Sequence, residues 1–436
     1  MGNLPRPSDP SAAEFVEGNA TALRPLFPDD SWPEFEKLVQ HYAFDDSSCD
    51  SNRCSKSMKE LSESRVLIVD DAPANVDLLV NALRGEHQLS VALDGAGALR
   101  AIEKVPPDLI LLDIMMPGLD GYEVCGRLRA SPKTRDIPVM FLSSLEDAKD
   151  KAKGFEAGGN DYLVKPFEMI EVKARVRSLL RAKAYADAVK EKIAYDLRIA
   201  KEIQMGILPA DIATVAASGG IEAHAVLHPA QEVGGDLYEL LCTPQGKLVT
   251  IIGDVSGKGI PAALFMAVTT TLVRGFGTSA KHPAELLRLV SDALTVNNPR
   301  NMFVTLLCAI YHQENGQFTY ASAGHPPPVL IRAGQAQFLP IEPDLAAGII
   351  PAISPPSESI ELQIGDTVVL YTDGVTEAFN AEGQLYGEAQ LLEELARTDN
   401  RSAGETTAAL LKSVREHAGE QPQSDDIAIL AFKRTR

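Results

Sequence analysis

Short apolar runs alternate with helix-period stretches over residues 65–182. VLIVDD (66–71), DLILLDI (108–114), PVMFLSS (138–144) and DYLVKPF (161–167) have the length and continuity of buried strands. VDLLVNALR (76–84), GYEVCGRLRA (121–130) and LEDAKDKAKGFEAG (145–158) carry apolar residues at helical spacing between them. That alternation predicts a doubly wound α/β domain, a parallel sheet covered on both faces, with ligands gathering at the carboxyl ends of its strands.

Residues 168–209 read as nearly continuous helix up to Pro209. Its second part places Val189, Ile193, Leu197, Ala200, Gln204 and Ile207 three to four apart with charges between, an apolar stripe at helical or coiled-coil period. The stripe is that of a rigid spacer or of a pairing, signal-transmitting helix, and the second is favoured because the stripe would otherwise have nothing to bury it.

Beyond residue 210 the rhythm changes. KLVTIIGDV (247–255), TVVLYTDGV (367–375) and DIAILAFKR (426–434) read as strands, PAALFMAVTTTLVRGF (261–276) and PAELLRLVSDALTV (283–296) as helices. FVTLLCAIYH and QFTYASAGH flank Asn315-Gly316 as a hairpin, PVLIRAG and AQFLPI continue the meander, and two helices precede the last strand. This predicts an α+β domain of antiparallel sheets with helices packed on them. The domains expected are a polar extension (1–61) with one short helix from Ser31 to His41, an α/β domain (62–182), a helical linker (183–209) and an α+β domain (210–436).

The formal net charge of −19 argues against a nonspecific nucleic-acid binder. No apolar run is read as reaching the roughly 18–20 residues of a membrane span, and the N-terminus lacks a signal-peptide pattern. The five cysteines, Cys49, Cys54, Cys125, Cys242 and Cys308, form no CxxC pair, which fits a reduced cytoplasmic protein.

Two acidic constellations carry the chemistry. In the first, Asp70 and Asp71 end one strand and Asp113 another. Three converging carboxylates call for a cation, and Mg²⁺ suits hard oxygen ligands. Ser143 and Lys165, each at a later strand end, add a hydroxyl and an ammonium, which equips Asp113 to become an aspartyl phosphate. Lys165-Pro166 is a candidate cis bond. In the second, Asp236 (EVGGDLY), Asp254 (IIGDVSGKG), Asp373 (LYTDGVTE) and Asp425 (QSDDIAIL) lie at strand ends or beside glycine. Without cysteines or suitably spaced histidines, they suggest two hard divalent ions, Mg²⁺ or Mn²⁺, and a water directed at phosphorus.

The first constellation, over residues 64–182, resembles the CheY-like response-regulator receiver domain. The resemblance implies a flavodoxin-like fold and phosphorylation by a histidine kinase. It makes Asp113 the phosphoacceptor, places one Mg²⁺ on Asp70, Asp71, Asp113 and the Met115 carbonyl, and gives Ser143, Tyr162 and Lys165 the switch positions. The second, with GGDLY, GDVSGKGIPAAL, MFVTLLCAIY, YASAGHPP, LYTDGVTE and SDDIAIL in order over about residues 196–432, resembles the PPM metal-dependent serine/threonine phosphatases, most of all the bacterial branch of RsbU and SpoIIE. By that resemblance Asp236, Asp254, the Val255 carbonyl, Asp373 and Asp425 hold two metal ions, and Asp426 supports them from behind.

The same resemblance implies a phosphorylated STAS anti-sigma-factor antagonist as substrate and AKEIQMGILP (200–209) as the coupling helix, while the apolar helix stripe favours a homodimer through receiver and linker helix. Nucleic acid and membrane are not expected as partners. Leu237 stands where the family has an aromatic residue, and Ala346-Ala347-Gly348 where it has Pro-Leu-Gly; neither change removes a ligand. Lys258 reads either as a contact to the substrate phosphate or, as favoured, a solvated turn residue, and His325 as a residue that shapes the hairpin end. The competing function is a phosphatase-like scaffold that binds a partner without chemistry; loss of ligand aspartates would mark it, and all four are present.

Overall fold

The structure, a computed structural model, describes residues 63–143, 154–296 and 298–436. The helix expected at Ser31–His41, Cys49, Cys54 and most of the stretch at 145–158 lie outside the described residues. The chain divides into two compact units between Ala194 and Tyr195.

The first unit holds β1 (Arg65–Val69), α1 (Pro73–Leu83), β2 (Gln88–Ala92), α2 (Gly95–Lys104), β3 (Leu109–Asp113), α3 (Gly121–Ala130), β4 (Val139–Ser143) and β5 (Asp161–Val164). The sheet order is β2-β1-β3-β4-β5 and every pair is parallel, the flavodoxin-like arrangement. The central strands are apolar throughout because both faces are covered. Leu67, Val69, Ile110 and Leu112 join one core layer, and Val66, Ile68, Leu109 and Leu111 the other. A capping box between Asp120 and Glu123 starts α3 directly after the loop that follows Asp113.

Strand β2 and helix α2 have no counterpart in the sequence reading. Most of β2 is exposed or half-exposed, so QLSVA has no buried apolar run to announce it. Helix α2 begins GAGA, a poor apolar pattern, and is fixed at its start by Asp94, whose carboxylate accepts from Gly97 N at 2.6 Å.

Helix α4 runs unbroken from Met169 to Ile207. Val172, Val176 and Leu180 pack on the parallel sheet. Farther on, Val189 and Ile193 are exposed (39% and 54%), and Gln204 is buried.

The second unit contains α5 (Ile212–Ser218), β6 (Ile221–His228), β7 (Leu237–Cys242), β8 (Leu248–Val255), α6 (Ile260–Gly277), α7 (Pro283–Thr295), β9 (Val304–His312), β10 (Gln317–Ala323), β11 (Val329–Arg332), β12 (Gln335–Phe338), β13 (Ser357–Glu361), β14 (Thr367–Tyr371), α8 (Gly387–Ala396), α9 (Ala403–Ala418) and β15 (Ile427–Arg434). Two five-stranded antiparallel sheets form, ordered β13-β10-β9-β8-β7 and β12-β11-β14-β15-β6. Leu240, Leu307, Tyr311, Phe318, Leu370 and Phe432 fill the layer between them. Helices α6 and α7 cover the outer face of the first sheet, and α8 and α9 that of the second.

One expectation is corrected here. Helix α6 has the length and apolarity of a membrane span, with a mean hydropathy of 1.4. Its three threonines and Arg274 break the run to the eye. Ala262, Met266 and Val273 bury one face of it in the core of this domain, while Leu264 and Val268 on another face are exposed.

Candidate metal centres

In the first unit, Asp70 immediately follows β1 and Asp113 ends β3, neighbouring strands whose carboxyl ends lie side by side. Asp70 is fully buried, Asp113 nearly so and Asp71 exposed. Asp70, Asp71 and Asp113 bring ligand atoms within 4.8 Å of one another; among the described residues no other trio of His, Cys or acidic side chains does so. The donor set, carboxylate oxygens alone, fits a hard ion such as Mg²⁺. Met115 lies two residues beyond, 60% exposed, and its N–H donates to Asp113 Oδ1 at 3.4 Å.

Lys165 closes this cluster. Its Nζ donates to Asp70 Oδ2 at 2.7 Å and to Asp113 Oδ2 at 2.8 Å. The Lys165–Pro166 peptide is cis, as the sequence suggested. Asn75 and the Ala72 N–H supply further donors to Asp70. Burial pushes the Asp113 carboxyl up, with Lys165 pulling the other way. Burial works against the Lys165 ammonium, yet its hydrogen bonds to Asp113 and Asp70 win and its pKa is raised. Ser143 is buried at the end of β4, and its carbonyl accepts from Lys165 N at 2.6 Å; Tyr162 is buried on β5.

In the second unit the four aspartates come from both sheets. Asp236 directly precedes β7, and Asp254 is the penultimate residue of β8. The antiparallel register pairs Leu237 with Gly253, so Asp236 and Asp254 are the next pair outward. On the other sheet, Tyr371 of β14 pairs with Ile429 of β15, which sets Asp373 and Asp425 beyond the same strand ends. Thr372 bridges the sheets, donating from Oγ1 to Asp236 Oδ2 at 2.7 Å.

The electrostatics are those of crowded carboxylates. Burial, then repulsion from Asp254, holds Asp236 well above the usual carboxylate range. Burial together with Asp373 and Asp425 raises Asp254 to about 7. Burial, Glu377 and Asp425 raise Asp373. Asp236 Oδ1 is buried with no hydrogen-bond partner. A buried carboxylate oxygen that lacks a donor, among like charges, suits a bound cation.

Asp426 spends both oxygens on the backbone, while its charge still bears on Asp236 and Asp254. Its Oδ1 accepts from Ala230 N at 2.7 Å and its Oδ2 from Gly235 N at 2.6 Å, which pins the segment leading to Asp236. Glycine is required there: a Cβ on Gly234 would collide with the Asp426 carboxylate, and one on Gly235 would stand 2.9 Å from the Val255 carbonyl. Gln204 also grips this segment, a role its place in an apolar stripe concealed. Its Nε2 donates to Gly234 O at 2.6 Å.

Lys258 is paired rather than simply solvated, 3.0 Å from Asp425 Oδ2. His325 is buried and uses both ring nitrogens, toward Thr305 Oγ1 (2.9 Å) and the Tyr371 carbonyl (3.0 Å). Burial drops its pKa to about 3, so it stays neutral and ties β9 to β14. Leu237 is fully buried in the core under α6, and Ala347 exchanges backbone hydrogen bonds with Val304 at the start of β9.

Comparison with known proteins agrees with this division. Residues 66–177 match the response regulator receiver domain family, and residues 244–435 match the family described as stage II sporulation protein E (SpoIIE). The response regulator PleD of Caulobacter vibrioides is 40% identical over 158 residues, 36% of this chain and 34% of PleD. The DNA-binding dual master transcriptional regulator RpaA of Synechocystis is 46% identical over 118 residues, 27% of this chain and 49% of RpaA. The chain thus spans between a third and a half of the length of these curated relatives. Among solved structures, the SiaA-PP2C domain of Pseudomonas aeruginosa superposes with a TM-score of 0.51 at 23% identity, covering 56% of this chain and 98% of that one, a likeness of fold.

Proposed function

We propose that this chain, a receiver domain fused to a SpoIIE/RsbU-type PPM phosphatase domain, is a response regulator whose output is metal-dependent dephosphorylation of a protein serine or threonine. What supports the reading is the position of Asp236, Asp254, Asp373 and Asp425 at strand ends of two sheets, where burial and neighbouring charges raise Asp236 and Asp254, together with one buried Asp236 oxygen that lacks a donor.

Asp236 and Asp254, with the Val255 carbonyl, would hold a pair of Mg²⁺ or Mn²⁺ ions, and Asp373 and Asp425 would complete the set. Such a pair supplies a bridging water of lowered pKa, aligned on phosphorus. Asp426 and Gln204 hold the Asp236 segment in place, and Thr372 fixes which Asp236 oxygen faces the site.

In the receiver, Asp113 accepts a phosphoryl group from a histidine kinase, with Asp70, Asp71 and the Met115 carbonyl holding one Mg²⁺. Lys165 neutralises the charge, and Ser143 and Tyr162 respond to it. Helix α4 carries the response, and the exposed Val189 and Ile193 favour pairing of two copies through the receiver and this helix. The substrate class is a phosphorylated STAS anti-sigma-factor antagonist in a cytoplasmic partner-switching pathway.

The test is phosphate release from phosphorylated STAS proteins by the full chain with Mn²⁺, with and without a receiver phosphodonor. Release that changes with the phosphodonor in wild type but not in Asp113→Asn is expected. Absence of release under every condition overturns the enzymatic reading, and an equal response in Asp113→Asn overturns the coupling.

A further inference from the structure

Of the four aspartates, Asp425 is the one that an ammonium reaches. Lys258, on the loop between β8 and α6, places Nζ 3.0 Å from Asp425 Oδ2 and donates to the carbonyl of Ser424 at 2.5 Å. The other oxygen of Asp425 accepts from Asp426 N at 2.9 Å, so the carboxylate is oriented from both sides. The lysine side chain is 43% exposed, which leaves it free to swing away from the cluster.

We infer that Lys258 is a resident cation of the acidic site, pairing with Asp425 until a divalent ion takes that carboxylate, and so setting how tightly the site binds its ion. This rests on the reading of the four aspartates as metal ligands. A lysine ammonium is a compact point charge on a flexible stem, suited to such an exchange. An ion entering at Asp425 must break the pair, and the nearby positive charge repels it as well, so both effects weaken binding. An exposed pair of this kind shifts an equilibrium by up to about fivefold. Lysine here tunes the site against ions at low concentration, and the phosphate-contact and solvated-turn readings of this residue require no such effect.

Manganese titration of the full chain, followed by the electron paramagnetic resonance signal of free Mn²⁺, tests this. An Asp71→Asn, Asp113→Asn parent removes two of the three carboxylates of the receiver cluster and so leaves the second site to dominate the titration. Lys258→Met is expected to bind Mn²⁺ about three- to fivefold more tightly than the parent at low ionic strength. Lys258→Arg, which keeps the charge, should stay close to the parent. Lys258→Gln repeats the measurement if the methionine variant loses its fold. Unchanged or weaker binding in both neutral variants overturns the inference. If the parent and an added Asp236→Asn change bind Mn²⁺ alike, the four-aspartate reading itself fails.

Discussion

Gln204 and Gly234 exchange two hydrogen bonds: the side-chain amide donates to the glycine carbonyl at 2.6 Å, and the glycine N–H donates back to Gln204 Oε1 at 3.2 Å. Gly234 stands two residues before Asp236. The end of α4 is therefore fastened to the backbone that positions the most deeply buried aspartate of the site.

Gln204→Leu keeps the shape of the side chain and removes both bonds, leaving a buried N–H and carbonyl unpaired at a cost of about 1–3 kcal/mol. Mn²⁺ affinity and phosphatase rate are expected to fall roughly 10–100-fold, as for other groups that orient metal ligands. A titration showing wild-type Mn²⁺ affinity in the folded variant would contradict the role given to this clasp.

Asp426→Ala should weaken metal binding by a similar factor of about 10–100, because the N–H groups of Ala230 and Gly235 lose their acceptor. Gly234→Ala drives a methyl group into the same carboxylate and should lower the melting temperature even in chelator. Thermal melts with EDTA and with Mn²⁺ compare the two: both variants melt lower in EDTA, and Asp426→Ala loses in addition much of the gain from Mn²⁺.

The crowded carboxylates set a pH dependence. Asp254 is raised from 3.8 to about 7, so the folded state holds its proton more tightly than the unfolded state does. The resulting stability is complete below the unfolded value and is lost as pH rises through about 7. In EDTA, the melting temperature should fall between pH 5 and 8, on the order of 5 °C. Asp254→Asn should flatten that slope, and saturating Mn²⁺ should remove it from wild type; a flat wild-type profile in EDTA would count against the crowding.

In the receiver, Lys165→Met strips the ammonium from Asp70 and Asp113. Removing one partner of a buried pair leaves uncompensated charge, here about 1–3 kcal/mol given the partial exposure of the lysine. Millimolar Mg²⁺ should restore part of the loss. Hydrogen exchange of the β1 and β3 amides, with and without Mg²⁺, measures both.

Much of this was legible in the residues. The short apolar runs of β1, β3 and β4, and the shorter one in β5, have the length of buried strands, and each put a reactive residue at or just beyond its carboxyl end. The hairpin at Asn315-Gly316 and the last two strands were equally plain, because turn chemistry and alternation agree there. Strands β13 and β2 hid because edge strands this exposed carry little apolar signal. Gln204 hid for the opposite reason. It occupies an apolar position by spacing, and only its partner, 30 residues onward, reveals why an amide is needed there.

The acidic site straddles the sandwich, since Asp236 and Asp254 flank strands of one sheet and Asp373 and Asp425 strands of the other. Neither sheet alone carries all four of the proposed ligands. A slip of one sheet against the other by a single residue, about 3.3 Å, would part the carboxylates while leaving every strand hydrogen-bonded. If the four aspartates hold ions as proposed, ion binding reads out the alignment of the whole domain: the ion would work as a rivet that closes only when both plates are in register.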